Sequence, residues 1–432
     1  MRALRRISKL AEETPAHRDR QADLLRAAAI VTVITGHWLS VYVTYDGGFE
    51  GGSVLDVAPW TRWLTWLFQV MPIFFLVGGF AGAASFTSHR SRGGTAVTWV
   101  LGRTDRLVRP TTCLLAVLAA GAVTARAAGV DPGLIGTAVW LAAIPLWFLV
   151  AYLAVVSLTP FMYGLHRRYG LYVPILLTVL VGVGDAARLS TGVSRAGYAS
   201  FLLAWLAVYQ LGFSWQDGRL TARRGTGPAL ALGGFAALVA LTVAGPYPIS
   251  MVAAAGEEMQ NTSPPTLALL ALAAAQTGLA LWVREPANRW LRRSRPWTVV
   301  VAVNSVIMTA FLWHMTAALF GVLALYPTGV LPEPPPGSPA WLAWRVPWLL
   351  VLALFLAVLV AVFGPVEQRA GPRPDPRRSP VVAACAGMAG VVAGLLAAAV
   401  GGPGDHGLTG LPVPALAAYF AGAAILRYAR SH

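Results

Sequence analysis

The sequence predicts an all-α polytopic membrane protein, and three observations predict it. Of 432 residues, 56% are hydrophobic and only 12% charged, with mean hydropathy +0.62; soluble domains carry about 25% charged residues. The charges are clustered and leave apolar runs of about 20 residues between them, the length of a helix that crosses a bilayer. The basic clusters fall in every second loop, as a positive-inside bias requires.

Residues 1–22, "MRALRRISKLAEETPAHRDRQA", are polar. They lack the short apolar stretch and small-residue cleavage site of a signal peptide, so they read as a cytoplasmic tail. Twelve spans follow, near 24–45, 62–86, 107–127, 136–160, 171–187, 198–215, 228–248, 266–284, 298–325, 343–364, 380–400 and 411–428. Together 23–365 form a ten-span core. A Pro- and Arg-rich cytoplasmic loop at 366–380 separates it from two added C-terminal helices and a tail over 381–432.

Placing both termini in the cytoplasm puts these clusters inside: Arg2 to Arg20, Arg90 to Arg109, Arg167 and Arg168, Arg219 to Arg224, Arg284 to Arg295, Arg369 to Arg378, and Arg427 with Arg430. The other side receives few arginines and the acidic Asp46, Glu50, Asp56, Glu257, Glu258, Glu333 and Asp405. The net charge of +15 is therefore a topology signal, and no nucleic-acid partner is expected. Cys113 and Cys385 lie in apolar runs outside any ligand-spaced cluster, so neither a disulfide nor a metal site is expected.

Against this apolar background, "DLLRAAAIVTVITGHWL" (23–39) stands out. A charge at a span centre costs roughly 2.5–3.5 kcal/mol on insertion scales, so such residues face a cavity or a partner. His37 lies past the midplane of its span. It follows Arg26 by eleven residues, which at about 100° per residue returns to nearly the same face. Asp23 sits one turn before Arg26 and can pair with it. A second histidine, His314 in "NSVIMTAFLWHMTAALF", has a depth matching that of His37, with Asn304, Ser305 and Thr309 as polar neighbours below it. A lone intramembrane histidine is explained by a helix–helix hydrogen bond; two at matched depth suggest a shared polar site.

The inner loop and helix foot "SHRSRGGTAVTWVLGRTDRLVRPTT" carries Arg103, Arg106 and Arg109 at three-residue intervals. Arginine forks match phosphate oxygens, although membrane anchoring also accounts for such a cluster. In "MPIFFLVGGFAGAASF" the small residues Gly78, Gly79, Ala81, Gly82, Ala83 and Ala84 read as a site of close helix packing.

Together these pieces resemble the integral-membrane acyltransferase family 3, the O-acetyltransferases of surface polysaccharides, in its actinobacterial form. The family's Asp, Arg and His of the first span correspond to Asp23, Arg26 and His37. Its Phe-Phe-x-x-Ser-Gly-Phe is matched by Phe74, Phe75, Gly79 and Phe80, with Gly78 where the family has serine. Ala27 stands where a glycine usually follows the arginine. The arginine pair before a proline corresponds to Arg103, Arg106 and Pro110. "LWFLVAY" supplies Trp147, Phe148 and Leu149, and "FLWH" ends in His314.

The resemblance implies a multi-pass enzyme of the bacterial plasma membrane with acyl-CoA (acetyl-CoA) as donor substrate and no permanently bound cofactor. The acceptor is a hydroxyl of an extracytoplasmic carbohydrate, glycolipid or secondary metabolite. His37 would be base or nucleophile and Arg26 would assist it. Arg103, Arg106 and Arg109 would bind the donor, and Asp23, His314, Asn304 and Trp147 would support the site. The rival is a proton-coupled secondary transporter or exporter; the absence of a half-to-half repeat argues against it.

Overall fold

The computed structural model describes residues 9, 11–15, 18–369, 380–402 and 409–431. The expected tail over 1–22 is thus described in part. Residues 370–379 of the Pro- and Arg-rich loop lie outside the described residues.

Each of the twelve apolar segments contains a helix, but fewer than twelve can cross a membrane by length and composition. Nine helices among the described residues meet that test. The pair Leu267–Trp282 and Arg284–Trp290, bent by 53°, makes a tenth if its two helices are counted as one span. Of the remaining two, Ser200–Gln216 has 17 residues, and the 19-residue Val413–Ser431 carries Arg427 and Arg430 in its last turns.

Three boundaries differ from expectation for local reasons. The first helix, Arg20–Ser40, ends five residues early. The β-branched and aromatic run "VYVTY" instead forms a strand, Val41–Tyr45, paired with Phe49–Ser53. The turn between them passes through Gly47 at φ +65°, a conformation glycine adopts without steric cost. The expected span 136–160 is two helices, Pro132–Ala143 and Leu146–Tyr169, separated at Pro145, which has no N–H to continue a helix. The span 298–325 breaks between Ser294–Asn304 and Ile307–Leu325, where Val306 leaves helical geometry at φ −132°, ψ 17°.

The chain divides into two compact units, each assembled from separate stretches. The first comprises Met1–Tyr42, Gly52–Ser85 and Leu158–Ser305; the second comprises Val43–Gly51, Phe86–Ser157 and Val306–His432.

In the first unit the small-residue stripe allows backbone contact. A Cβ added at Gly79 would lie 2.0 Å from the Tyr209 carbonyl oxygen, and one at Gly212 would lie 2.1 Å from that of Leu76. Phe75 stacks on Trp205 beside this crossing, with ring centroids 4.4 Å apart. The segment between Thr226–Val239 and Leu267–Trp282 folds back onto its own unit. Trp66 Nε1 donates to the Ile249 carbonyl at 2.7 Å, and Gln69 Nε2 to that of Met251 at 2.9 Å. Asn261, fully buried, donates to the carbonyls of Pro248 and Ser250.

In the second unit Ile307–Leu325 packs on the 30-residue helix Pro339–Gln368, with Trp313 and Phe363 stacked at 3.9 Å. The C-terminal helices Val381–Val400 and Val413–Ser431 form a hairpin in which Gly387, Gly390 and Gly394 meet Gly422 and Tyr419. That hairpin docks on the arginine-bearing helix Ala96–Ala127. The buried Tyr419 hydroxyl donates to the Val108 carbonyl at 3.0 Å and lies 3.0 Å from Thr112 Oγ1, and Arg430 pairs with Asp105.

Candidate active site

The first unit holds Asp23, Arg26, His37 and Asn304. Asp23 is buried at the foot of Arg20–Ser40. Its carboxylate accepts two bonds from Arg18, at 2.7 Å from Nε and 3.0 Å from Nη2, and one longer bond of 3.4 Å from Arg26. The paired fork is the stronger geometry, so Arg18, which sequence reading passed over, is the main anchor of Asp23. That carboxylate in turn holds the Arg18 guanidinium more firmly protonated. Asn304 Nδ2 donates to the main-chain carbonyls of Asp23 and Val300, both at 2.9 Å. This brings together two of the expected residues, 281 positions apart in sequence.

More bonds stitch the same foot down. Asp19 accepts from Arg284 at 3.0 Å and from Asn288 at 3.2 Å. Arg20 donates to the Leu291 carbonyl at 2.7 Å and lies over the Trp297 ring. The helix is thus fixed at its N-terminal end. His37 lies about three turns beyond Arg26, in the last turn of the helix rather than deep in a span that runs on to residue 45, half-buried between the small Gly36 and the buried Trp38. Continuous helical geometry from Arg20 to Ser40 keeps it on the Arg26 face.

The second unit holds Arg103, Arg106, Arg109, Trp147 and His314. The three arginines share the helix Ala96–Ala127, whose start is fixed by a capping box between Thr95 and Thr98. They are not equivalent. Arg106 is exposed, whereas Arg109 donates to the Asp105 carboxylate and to the main-chain carbonyl of Arg369. Since Arg430 takes the other oxygen of Asp105, Arg109 belongs to a structural cluster of ionic and main-chain partners.

His314 is fully buried, and its Nδ1 lies 2.6 Å from the Phe311 carbonyl oxygen. A carbonyl only accepts, so Nδ1 carries the proton, and in the neutral ring the lone pair is on Nε2. Phe311 packs edge-on against Phe148 at 5.4 Å, which joins the "LWFLVAY" and "FLWH" segments. Trp147 lies next to Phe148, partly exposed.

Sequence reading missed one further feature of this unit. The Glu367 carboxylate accepts from Met308 N–H at 3.1 Å, Thr309 N–H at 2.8 Å and the Thr309 hydroxyl at 2.7 Å. It caps the His314 helix from another helix, at the break where the first N–H groups have no intrahelical acceptor. Its sequence signal is a single Glu that closes an apolar run at the edge of the Pro- and Arg-rich loop.

Many apolar helices, an ionic foot on the first, and histidines inside two of them define a multi-pass membrane protein. The family described as an acyltransferase domain matches residues 19–364, well over half of the chain, and the chain belongs to that family: it is a membrane acyltransferase. No curated protein and no solved structure was found to match it. The matched segment spans both units and ends before the C-terminal hairpin.

Proposed function

We propose that the chain moves an acyl group, acetyl in the simplest case, from acyl-coenzyme A on the cytoplasmic side to a hydroxyl on an extracytoplasmic carbohydrate, glycolipid or secondary metabolite. The observation that carries this reading is the placing of His37 on the Arg26 face of a helix whose foot is locked by Arg18, Asp23 and Asn304.

His37 takes the proton of the acceptor hydroxyl while that oxygen attacks the thioester carbonyl carbon. The carbon–sulfur bond then breaks, and the leaving thiolate receives the proton from the imidazolium. The same neutral ring can instead attack first and carry the acyl group as an acyl-imidazole, which the acceptor then cleaves. Arg26 stabilises the negative charge that develops on the thioester oxygen. Arg103 and Arg106 bind the phosphates of coenzyme A, and Arg109 contributes charge from its tethered position. His314 and Trp147 support the acceptor side.

Membrane vesicles test this reading. Inside-out vesicles given labelled acetyl-coenzyme A should consume it and accumulate acylated product in the lumen, while right-side-out vesicles should leave external donor untouched until permeabilised. Equal use of external donor by both preparations overturns the proposed sidedness. Uptake of solute without acyl transfer would favour a carrier.

A further inference from the structure

The segment "SPAWLAWRVPWLL" opens the helix Pro339–Gln368, with Ser338 accepting from the Trp341 N–H at 3.2 Å as its cap. Arg345 lies six residues into this helix, about 9 Å from its start. An arginine so near a span end ordinarily extends its head group to water. This one does not. Arg345 is only 9% exposed, and its guanidinium lies 3.7 Å over the ring of Trp341.

Nε and Nη2 of Arg345 are buried and, among the described residues, have no hydrogen-bond partner. Its ionisable neighbour is Tyr326, a neutral phenol at pH 7 whose ring packs on Trp348 at 5.7 Å; the Glu333 carboxylate, also near Tyr326, accepts from the Tyr45 N–H at 2.9 Å and forms no ion pair with Arg345 among the described residues. A buried cation without an anion is costly, and removing one partner of a buried ion pair leaves just this arrangement. The two open donors share one edge of the planar guanidinium. That edge is the fork that donates to two oxygens of one phosphate or carboxylate.

The surroundings identify the source of those oxygens. Leu342, Trp344, Val346 and Leu350 of the same stretch are exposed apolar side chains, as on a lipid-facing surface. Trp341, Trp344 and Trp348 fall within the first three turns of this helix, with Tyr326 packed on Trp348, near the span end where aromatic residues gather at the boundary between headgroups and hydrocarbon. The abundant anion at that level is the lipid phosphate. We infer that Arg345, framed by Trp341, Tyr326 and Trp348, is a binding site for the phosphate of a membrane lipid.

The test uses the full-length protein purified from vesicles of mixed phosphatidylethanolamine and phosphatidylglycerol. Lipid retained in mild detergent is counted by native mass spectrometry, and thermal unfolding is followed with and without added lipid. Wild type should keep one phospholipid that Arg345→Met loses by about tenfold or more in occupancy, an affinity difference of about 1.4 kcal/mol. Arg345→Lys, which keeps the charge and loses the fork, should retain an intermediate amount. Without lipid, Arg345→Met should melt at or above the wild-type temperature, because an unpaired buried cation is gone; added lipid should stabilise wild type and not the variant. Equal retention by all three proteins, or none by wild type, overturns the site. Displacement of the lipid by inorganic phosphate with the same dependence on Arg345 overturns the lipid source and assigns a site for free phosphate. An Arg345→Met protein that melts below wild type without lipid makes the arginine structural and also overturns the inference.

Discussion

The side-chain amide of Asn304 donates to the main-chain carbonyl of Asp23 at 2.9 Å, tying the foot of the His37 helix to the point where the helix Ser294–Asn304 ends. The oxygen of that amide, Oδ1, is buried without a partner among the described residues. Asn304→Ala should therefore cost about 1–2 kcal/mol, the worth of one or two net hydrogen bonds, as a fall in the denaturation midpoint in detergent. If the tie also positions the histidine, turnover should fall while the Michaelis constant for the donor stays put.

His37→Ala should lower acyl transfer by roughly 10²–10⁴-fold, the contribution of a general base, with unchanged membrane insertion and elution profile. Residual activity above about a tenth of wild type would remove His37 from the chemistry.

The arginines of the helix Ala96–Ala127 should separate by readout. Arg106 is exposed, so Arg106→Ala should raise the apparent Michaelis constant for acyl-coenzyme A with little effect on the melting temperature. Arg109→Ala removes a partner from the cluster of Asp105, Arg430 and the Arg369 carbonyl and should lower the melting temperature as well. Unchanged donor affinity in an Arg103→Ala, Arg106→Ala double variant would leave the pair as a topology signal alone.

Two glycines in helices should respond oppositely to alanine. At Gly79 the new methyl would lie 2.0 Å from the Tyr209 carbonyl, so the helices must part; a loss of at least 1–3 kcal/mol, the typical cost of overpacking, is expected. At Gly102 nothing lies within 4 Å, and alanine should stabilise by up to about 1 kcal/mol through helix propensity. Thermal unfolding of the two variants measures both.

Glu257, in the loop between two spans, pairs with Arg62 at 3.6 Å, yet burial raises its pKa above 4.5, with Asp56 adding to the rise and Arg62 opposing it. A carboxyl whose folded pKa is raised holds its proton better in the folded state. Its contribution is thus fully present below about pH 4.5 and is lost as the pH climbs through the raised value. Glu257→Gln should flatten the stability profile across that interval and leave the protein at least as stable at pH 7.

The sequence by itself determined that this chain crosses a membrane repeatedly, because lipid forces each crossing segment to be apolar over its whole length and to satisfy its own backbone. It also determined which ionisable residues needed an explanation, since Asp23, Arg26, His37 and His314 are costly in lipid wherever they end up, and helical period alone put Arg26 and His37 on one face. Other features depended on long-range packing. That Arg18 outcompetes Arg26 for Asp23, that Asn304 grips the Asp23 carbonyl, that Glu367 caps the His314 helix, and that Arg430 shares Asp105 with Arg109 were decided by the tertiary structure. These pairings mostly join stretches far apart in the chain, and a hydrogen-bond donor carries no local mark of which distant acceptor it will meet. The breaks at Ser305–Val306 and after Ser40 escaped the hydropathy reading for another reason: hydropathy reports the solvent around a segment, and it stays high whether the backbone there remains helical or not.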